Sequence, residues 1–386
     1  MVRTGSWVRF PPRAQIYQKR KHIHFLVFRY TKFMEELGQI KESFIQEIIH
    51  AQNNDTSSLP FLTTELPRKN KRIGQEIFEV LAIGGSNYQQ ALCQHHENQI
   101  RIHRKEEGLI PVFRTKEDFL DFVGKHINEK VTTVALNFAY PLKNVIRDDQ
   151  LDGELLHGTK EHSFKGMVDQ KVGYEIELYM KTKFKRHIKV HVANDTVCLL
   201  LSGLSLGNNK NLACAIVGTG YNAAFFMDER TVVNLEAANF DKFPRSHSGI
   251  KIDKESVHPG KGLFEKEISG AYLFHHFRHL AHQRHMRVPE VNTTASLSLL
   301  AENDHNANGL LAREVISRSA DLVATHIAGI AEYKQSDTVF VLEGSLFWKG
   351  YHYKERVEEV VRKLTRYSVE FVKIEDSGII GAAMLV

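Results

Sequence analysis

Residues 188–204 read IKVHVANDTVCLLLSGL, and this stretch decides the expected fold. Apolar and polar residues alternate from 188 to 192, which is the pattern of a half-buried strand. Asn194 and Asp195 come next, and both residue types are favoured caps for a helix. The apolar run at 197–204 would then form that helix. The stretch therefore predicts a strand that passes directly into a helix, with Asp195 at the joint.

The segments on either side of this joint predict further strands and helices in alternation. Apolar runs at Leu212–Val217 and 223–227 flank the sequence Gly218-Thr219-Gly220, which predicts a β-hairpin with a glycine-rich turn. More strands are expected at Ile77–Ile83, 131–138, 338–342 and 369–374. Helices are expected at 34–52, 263–284, 310–332 and 354–367. Strands interleaved with helices predict an α/β architecture.

Three glycine-containing turns each follow a predicted strand. They are Gly84-Gly85-Ser86-Asn87, Gly218-Thr219-Gly220 and Glu343-Gly344-Ser345. Glycine lets a backbone approach phosphate closely, and consecutive N–H groups in such a turn can bind an anion. Ordinary hairpins use the same residues, so one such turn would predict little. Three of them, with the Asn-Asp pair between the first two, predict phosphate-binding turns.

Length and composition limit the class of protein. At 386 residues the chain exceeds the usual size of one domain, so two domains that share a cleft are expected. No apolar run approaches the roughly 18–20 residues that are needed to cross a membrane. Cys93, Cys198 and Cys214 form no CxxC pair, which argues against a disulfide framework or a zinc site. Scattered cysteines of this kind indicate a reducing, cytoplasmic compartment.

The formal charge of +5 comes from the first 33 residues, which hold eight basic residues and no acidic one. The remainder has slightly more acidic than basic residues, so no nucleic-acid partner is expected for it. The lysine-rich run at 181–189 is expected to be a solvated face. The leader at 1–33 is expected to be disordered or to precede the true start, which would be Met34. A targeting peptide or a nucleic-acid-binding tail is the alternative for this leader.

Histidines at positions 275 and 279 raise the question of a metal site. They lie four residues apart on a predicted helix, a spacing that can hold a metal ion. No glutamate follows the first histidine as in an HExxH site, and a polar helix face explains the pair more simply. We therefore expect no metal site built from protein side chains alone.

In order and spacing, these segments resemble the signature blocks of the hexokinase family over roughly residues 60–386. The resemblance is clearest for VANDTV at 192–197, which is similar to the family's VNDTV block, and for the turn at 218–220. The other similar blocks are GGSNY at 84–88, NFAYPL at 137–142 (FSFP in the family), LDGELLHGTK at 151–160, NLE at 234–236, PGKGLFEK at 259–266, ISG at 268–270, EGS at 343–345 and DSGIIGAA at 376–383. Their shared order argues against chance agreement.

The resemblance implies an α/β protein with the two-lobed ribonuclease H-like (actin-like ATPase) fold and a central cleft. The small α/β lobe would span residues 72–193 together with 377–386. The large α/β lobe would span 194–376. The N-terminal helix and its connector, at 34–71, would pack on the large lobe.

The resemblance also implies a hexokinase, which transfers the γ-phosphate of ATP to the 6-hydroxyl of a hexose, with glucose as the default. Asp195 would be the general base, because the attacking hydroxyl must lose its proton. Lys160 would lie near the transferring phosphate. From the residues alone, a simple helix cap is the alternative explanation of Asp195.

Substrate and cofactor roles are implied for further residues, each of which on its own would be explained as a cap, a turn former or a solvated side chain. Amide and carboxylate groups hold polyols, so the expected sugar-binding residues are Thr159, Lys160, Asn194, Asp195, Asn222, Glu236 and Glu265. ATP with Mg²⁺ would be bound at Gly84, Gly85, Ser86, Asn87, Gly218, Thr219, Gly220, Gly344 and Ser345.

Several positions depart from the family pattern. Ala82 stands where the family carries an aspartate that is associated with the metal and phosphate site. Gln89 stands where arginine is usual, and Ala139 replaces a serine of the sugar site. These changes support an alternative, a catalytically weakened relative that binds sugar as a regulator or sensor. The retained Asp195 favours the active enzyme.

Overall fold

The computed structural model describes residues 13–67, 76–96, 99–158, 161–207, 211–303 and 305–386, with side chains from Tyr30 onward. The strands are β1 (Leu62–Glu65), β2 (Ile77–Ile83), β3 (Asn87–His96), β4 (Gln99–Leu109), β5 (Thr133–Phe138), β6 (Leu142–Arg147), β7 (Gln150–Leu155), β8 (Lys189–Asn194), β9 (Leu212–Val217), β10 (Tyr221–Phe226), β11 (Thr231–Asn234), β12 (Thr338–Glu343) and β13 (Val369–Val372). The helices are α1 (Arg13–Gln52), α2 (Lys116–His126), α3 (Val172–Phe184), α4 (Asp195–Ser202), α5 (His247–Glu255), α6 (Leu263–Ile268), α7 (Leu273–Gln283), α8 (Thr294–Asn303), α9 (Ala307–Lys334), α10 (Ser345–Lys349), α11 (Tyr353–Leu364) and α12 (Ser377–Ala383).

Two sheets with the same strand order form the centre of the molecule. The first sheet has the order β4-β3-β2-β5-β8, and the second has β11-β10-β9-β12-β13, with β1 added outside β11. In each sheet three antiparallel strands are followed by two strands that run parallel to the first of them. This repeated arrangement agrees with the ribonuclease H-like fold predicted from the sequence.

The parallel strands of each sheet end together at one edge, which is where open α/β sheets bind ligands. In the first sheet, Ile83, Phe138 and Asn194 are register partners across β2, β5 and β8. In the second sheet, Ile216 of β9 pairs with Glu343 of β12. The glycine turns and Asp195 follow these strand ends. The fold therefore gathers the predicted site residues at two sheet edges.

Three clusters of buried side chains hold the sheets and helices together. One lies between the second sheet and helices α1 and α6 to α11, and another lies between the first sheet and helices α2 and α3. The third contains α4 and α12 together with side chains of both sheets. All three cysteines lie buried in this third cluster as free thiols. A Cβ atom on Gly381 of α12 would come within 1.7 Å of the Cys198 carbonyl oxygen, so glycine permits the close approach of α12 and α4.

The prediction of one helix at 263–284 was wrong, because the chain forms two helices, α6 and α7, with a break between them. In the break, the Gly270 amide donates to the Gly218 carbonyl (2.7 Å) and the Ala271 amide donates to the Thr219 carbonyl (3.1 Å). A Cβ atom at Gly270 would lie 2.8 Å from the Gly218 oxygen. The helix is therefore interrupted by a contact with the second glycine turn.

The first helix begins earlier than the sequence predicted. We expected it to start at Met34, whereas α1 begins at Arg13 and continues without interruption to Gln52. No proline occurs within α1, and it is rich in lysine, arginine, glutamine and glutamate, which all favour helix. None of the described helices combines the length and the hydropathy that a membrane-spanning segment requires.

His191 of β8 is expected to make the free energy of unfolding depend on pH in the acid range. Its Nδ1 atom is buried without a hydrogen-bond partner among the described residues, and desolvation lowers the pKa of His191 to about 4. Between this value and the ordinary pKa of about 6.5, the unfolded chain binds a proton that the folded chain does not. Stability therefore falls as the pH falls through this window.

We expect His191→Phe to remove this sensitivity. Between pH 7 and pH 5 the unmodified protein should lose about 2 kcal/mol more unfolding free energy than the variant, measured by urea denaturation. The exposed His187 offers a matched control, since His187→Phe should keep the full pH dependence. Equal losses in the unmodified protein and in His191→Phe would show that another group causes the acid sensitivity.

Candidate active site

The joint between β8 and α4 places Asn194 and Asp195 at the edge of the first sheet. Asn194 is the helix cap, and its side-chain oxygen accepts from the Thr196 amide at 3.0 Å. The Asp195 carboxylate also accepts from this amide, at 2.8 Å, but Asp195 is the first residue of the helix and not its cap. The capping role, which was the alternative explanation of Asp195, therefore belongs to Asn194.

Asn222 lies at the centre of a polar network beside this joint. Its side-chain amide donates to the Thr196 hydroxyl (3.0 Å), to Asn234 (2.9 Å) and to Glu236 (3.3 Å). Its side-chain oxygen accepts from the backbone amides of Ala223 (2.7 Å) and Ala237 (3.1 Å). These contacts fix the direction of the side-chain amide. The network joins the start of α4 to strands β10 and β11.

Glu236 belongs to the same network and has an altered acidity. Desolvation raises the pKa of Glu236, hydrogen bonds from Asn234 and Asn222 oppose the rise, and the negative charge of Asp195 adds to it. Asn234 donates to the Glu236 carboxylate at 2.8 Å. Asn222 also links the two residues through the chain, since it donates both to Glu236 and to Thr196, the neighbour of Asp195. A pair of carboxylates with different surroundings is a common feature of active sites.

Two further carboxylates approach this position. Glu265 of α6 accepts from the Tyr221 amide at 2.9 Å, directly after the second glycine turn. Glu343 ends β12 and accepts from the Ser377 hydroxyl at 2.9 Å. Desolvation raises the pKa of Glu343, and the charge of Asp195 contributes to the rise. The charge of Asp195 therefore raises the pKa of two carboxylates, Glu236 and Glu343, which lie at or just beyond the ends of different strands of the second sheet.

The predicted residues Thr159 and Lys160 lie outside the described part of the chain. The described residues on either side of them can be placed. A Cβ atom on Gly158 would come within 2.2 Å of the His162 carbonyl oxygen, so the chain closes tightly at this point. His157 is close enough to Glu236 to lower its pKa.

The second glycine turn, Gly218 to Gly220, is held by two other glycines. The carbonyl oxygens of Gly218 and Thr219 are bound by the break between α6 and α7. On the other side, a Cβ atom on Gly344 would lie 2.2 Å from the Val217 oxygen, and Gly344 has a φ of +115°. Ser345 then begins α10. The expected nucleotide residues Gly218, Gly344 and Ser345 are thus brought together.

The first glycine turn, Gly84 to Asn87, is held by side chains. Its ends are closed by a hydrogen bond from the Gly84 amide to the Asn87 carbonyl at 2.9 Å. The Tyr140 hydroxyl donates to the Gly84 carbonyl at 3.0 Å, and His162 Nε2 lies 3.1 Å from the Gly85 oxygen. The backbone oxygen of Tyr140 accepts in turn from the Asn194 side chain at 3.3 Å. Tyr140 therefore connects the first turn to the residue that precedes Asp195.

Sequence reasoning missed several residues that complete the site. Asn234 and Gly270 lie within the similar blocks at 234–236 and 268–270, so the motifs could have identified them. Glu343 is the first residue of the identified turn at 343–345 and could also have been found. His162 carried no signal, because nothing in the sequence indicated that its side chain would reach the first glycine turn.

Comparisons with known proteins agree with this geometry. The family model described as hexokinase matches residues 212–290 and 282–386. Hexokinase-1 of Spinacia oleracea is 25% identical over 394 residues, which cover 80% of this chain and 78% of the relative. Hexokinase-5 of Oryza sativa is 28% identical over 276 residues, which cover 61% of this chain and 53% of the relative.

A solved structure of hexokinase from Schistosoma mansoni complexed with glucose superposes with a TM-score of 0.76. It is 22% identical and covers 91% of this chain and 95% of its own. The similarity at this identity is one of fold, and it confirms the two-lobed ribonuclease H-like architecture.

Proposed function

We propose that this chain, which is similar to hexokinases in sequence and in fold, is an ATP-dependent hexose kinase that phosphorylates the 6-hydroxyl, with glucose as the first substrate to test. The observation that carries the proposal is the position of Asp195. It lies beside a polar network suited to a polyol. Its neighbour Asn194 is linked through Tyr140 to the first glycine turn. Its other neighbour, Thr196, is bound by Asn222, which follows the second turn. A base, a polyol site and two anion-binding turns are the parts that this transfer requires.

The sugar would be held by the residues around Asn222. Carboxylates accept hydrogen bonds from hydroxyl groups, and amides both donate and accept them. Asn194, Asn222, Glu236 and Glu265 supply these groups, with Thr159 and Lys160 proposed to close over the sugar. Hydroxyl groups of the sugar would also replace water at Glu236, whose burial raises its pKa.

Asp195 would act as the general base. The attacking 6-hydroxyl is neutral, and removing its proton as it attacks the γ-phosphate lowers the barrier. Lys160 would balance the charge that develops on the transferring phosphate. Closure of the cleft would exclude water and so limit wasteful hydrolysis of ATP.

The nucleotide would bind through the backbone of the two glycine turns, with the adenosine beside Gly344 and Ser345. Mg²⁺ would arrive with ATP and neutralise charge on its phosphates. Ala82 has no ligand atom, and within the described ranges no three His, Cys, Asp or Glu side chains converge on a metal position. Mg²⁺ commonly uses one or two carboxylates together with phosphates and water, so Glu343, which directly precedes Gly344, would fit as a protein ligand while Asp195 remains free to act as the base.

The direct test is phosphorylation of glucose by the purified protein with Mg-ATP, followed through ADP release. We expect turnover in the range of about 1–100 s⁻¹, which is typical of kinases. ADP release without sugar measures background hydrolysis and should be far slower. Mannose, fructose and glucosamine, assayed in the same way, would establish which hexose is preferred.

The second candidate function is a sugar-binding regulator, and Ala82 is the observation that favours it. Loss of a metal-associated carboxylate would weaken transfer without removing the polyol site. No turnover on any of the four sugars, together with glucose binding measured by calorimetry, would contradict the kinase and support the regulator.

A further inference from the structure

Both glycine turns have two consecutive carbonyl groups that accept hydrogen bonds, but the donors differ between the turns. In the second turn, two consecutive carbonyl groups, those of Gly218 and Thr219, accept hydrogen bonds from backbone amides. In the first turn, the two consecutive carbonyl groups of Gly84 and Gly85 are bound by the side chains of Tyr140 and His162. The support of the first turn can therefore be removed by substitution without changing its own sequence.

Binding these carbonyls sets the direction of the amide hydrogens. In a planar trans peptide the N–H of one residue points opposite to the C=O of the residue before it. When the carbonyls of Gly84 and Gly85 point toward Tyr140 and His162, the amides of Gly85 and Ser86 point the other way. Two adjacent amides that share a direction form an anion-binding nest.

The protonation of both side chains suits this role. The Phe113 amide donates to His162 Nδ1 at 3.0 Å, so Nδ1 is the acceptor nitrogen. The proton is then on Nε2, which donates to the Gly85 oxygen. Burial raises the pKa of Tyr140, whose hydroxyl therefore remains protonated and donates to Gly84. The rings of Tyr140 and His162 pack edge to face, with centroids 5.6 Å apart.

Both side chains also belong to the segments that are expected to meet the sugar. Tyr140 lies in the sugar-site block at 137–142, and its backbone oxygen is bound by Asn194. The His162 ring packs against the Tyr140 ring and so belongs to the same support. A change at Asn194 when sugar binds would therefore reach the first glycine turn through Tyr140.

We infer that Tyr140 and His162 are positioning residues that hold the first glycine turn in its nucleotide-binding form and make nucleotide affinity depend on bound sugar. The inference rests on the proposed function, since it requires a sugar site and a nucleotide site in one molecule. Neither residue touches a reacting atom. Their effect is on the arrangement of the Gly85 and Ser86 amides.

The test compares binding of the ATP analogue AMPPNP, with Mg²⁺, in the presence and absence of glucose by calorimetry. We expect glucose to raise AMPPNP affinity of the unmodified protein by at least about 5-fold. In Tyr140→Phe/His162→Leu, AMPPNP affinity at saturating glucose should fall by about 10-fold, the size of one or two lost hydrogen bonds. The increase caused by glucose should shrink below about 2-fold, while glucose affinity without nucleotide stays unchanged.

Matched variants separate positioning from general damage. Tyr179→Phe removes a hydroxyl in the same lobe that contacts Asp121 and should leave the glucose effect intact. His162→Gln retains a side-chain N–H donor for the Gly85 oxygen and should restore part of the glucose effect that is lost in His162→Leu. A merely structural role would lower the melting temperature and weaken both ligands together.

A double variant that keeps the full glucose effect would overturn the inference. If the unmodified protein binds both ligands without any mutual effect, the inference also fails while the proposed kinase survives. If the unmodified protein binds neither ligand, the proposed function fails first and the inference fails with it.

Discussion

Asp195→Asn is expected to lower kcat for glucose phosphorylation by about 10²–10⁴-fold, the usual contribution of a general base. The amide has the shape of the carboxylate but cannot take the proton of the 6-hydroxyl. The Thr196 amide can still donate to the side-chain oxygen at position 195, so α4 should keep its first turn. Glucose affinity should change by only a few-fold, because Asn222, Glu236 and Glu265 remain.

The measurement is steady-state kinetics together with calorimetric glucose binding. Glu370→Gln, on the edge strand β13 of the second sheet, makes the same chemical change at an exposed carboxylate and should leave kcat unaltered. A loss of kcat without a loss of glucose affinity indicates a base, whereas a loss of affinity indicates a sugar ligand. A variant with nearly full kcat would remove Asp195 from the mechanism.

Elements with a strong local pattern were predictable from the sequence. The alternation at 188–192 and the amide cap at Asn194 identify β8 and α4, because both depend on neighbouring residues. The prediction of a single helix at 263–284 was wrong for the opposite reason. The apolar spacing continues through Gly270, where the chain instead contacts the distant Gly218, and local spacing does not report that contact.

Most residues of the candidate site could be predicted from motifs, but the contacts between them could not. Asp195, Asn222, Glu236 and Glu265 lie in motifs, so a resemblance could identify them. The contacts of Asn222 with Thr196 and Asn234, and of His162 with Gly85, join residues that are far apart in the sequence. Pairs of this kind depend on how the strands are ordered in the sheets, which local periodicity does not report.

Gly344→Ala is expected to weaken AMPPNP binding by about 10–100-fold, because it would displace the second glycine turn. The new methyl carbon would lie 2.2 Å from the Val217 oxygen and 2.7 Å from the Gly218 nitrogen. Both are backbone atoms, which cannot rotate away as a side chain can. Losing one hydrogen bond to a charged phosphate accounts for this range, since such a bond contributes about 1.5–3 kcal/mol. Glucose affinity, measured on the same sample, should fall less.

Gly207→Ala is the matched control for the backbone strain at Gly344. Gly207 also has a positive φ, of +92°, but a Cβ atom there would meet nothing within 4 Å. Both substitutions place alanine at a positive φ. Gly207, with a ψ of −3°, is in the left-handed region, where alanine costs about 1–2 kcal/mol of unfolding free energy. Gly344, with a ψ of 138°, lies near a region that is almost restricted to glycine, so Gly344→Ala should lose more stability than the control. Only Gly344→Ala adds the collision, so only it should lose nucleotide. Equal AMPPNP affinity in the two variants would mean that the Gly218 turn does not bind the phosphates. The nucleotide would then have to be held by the first glycine turn alone.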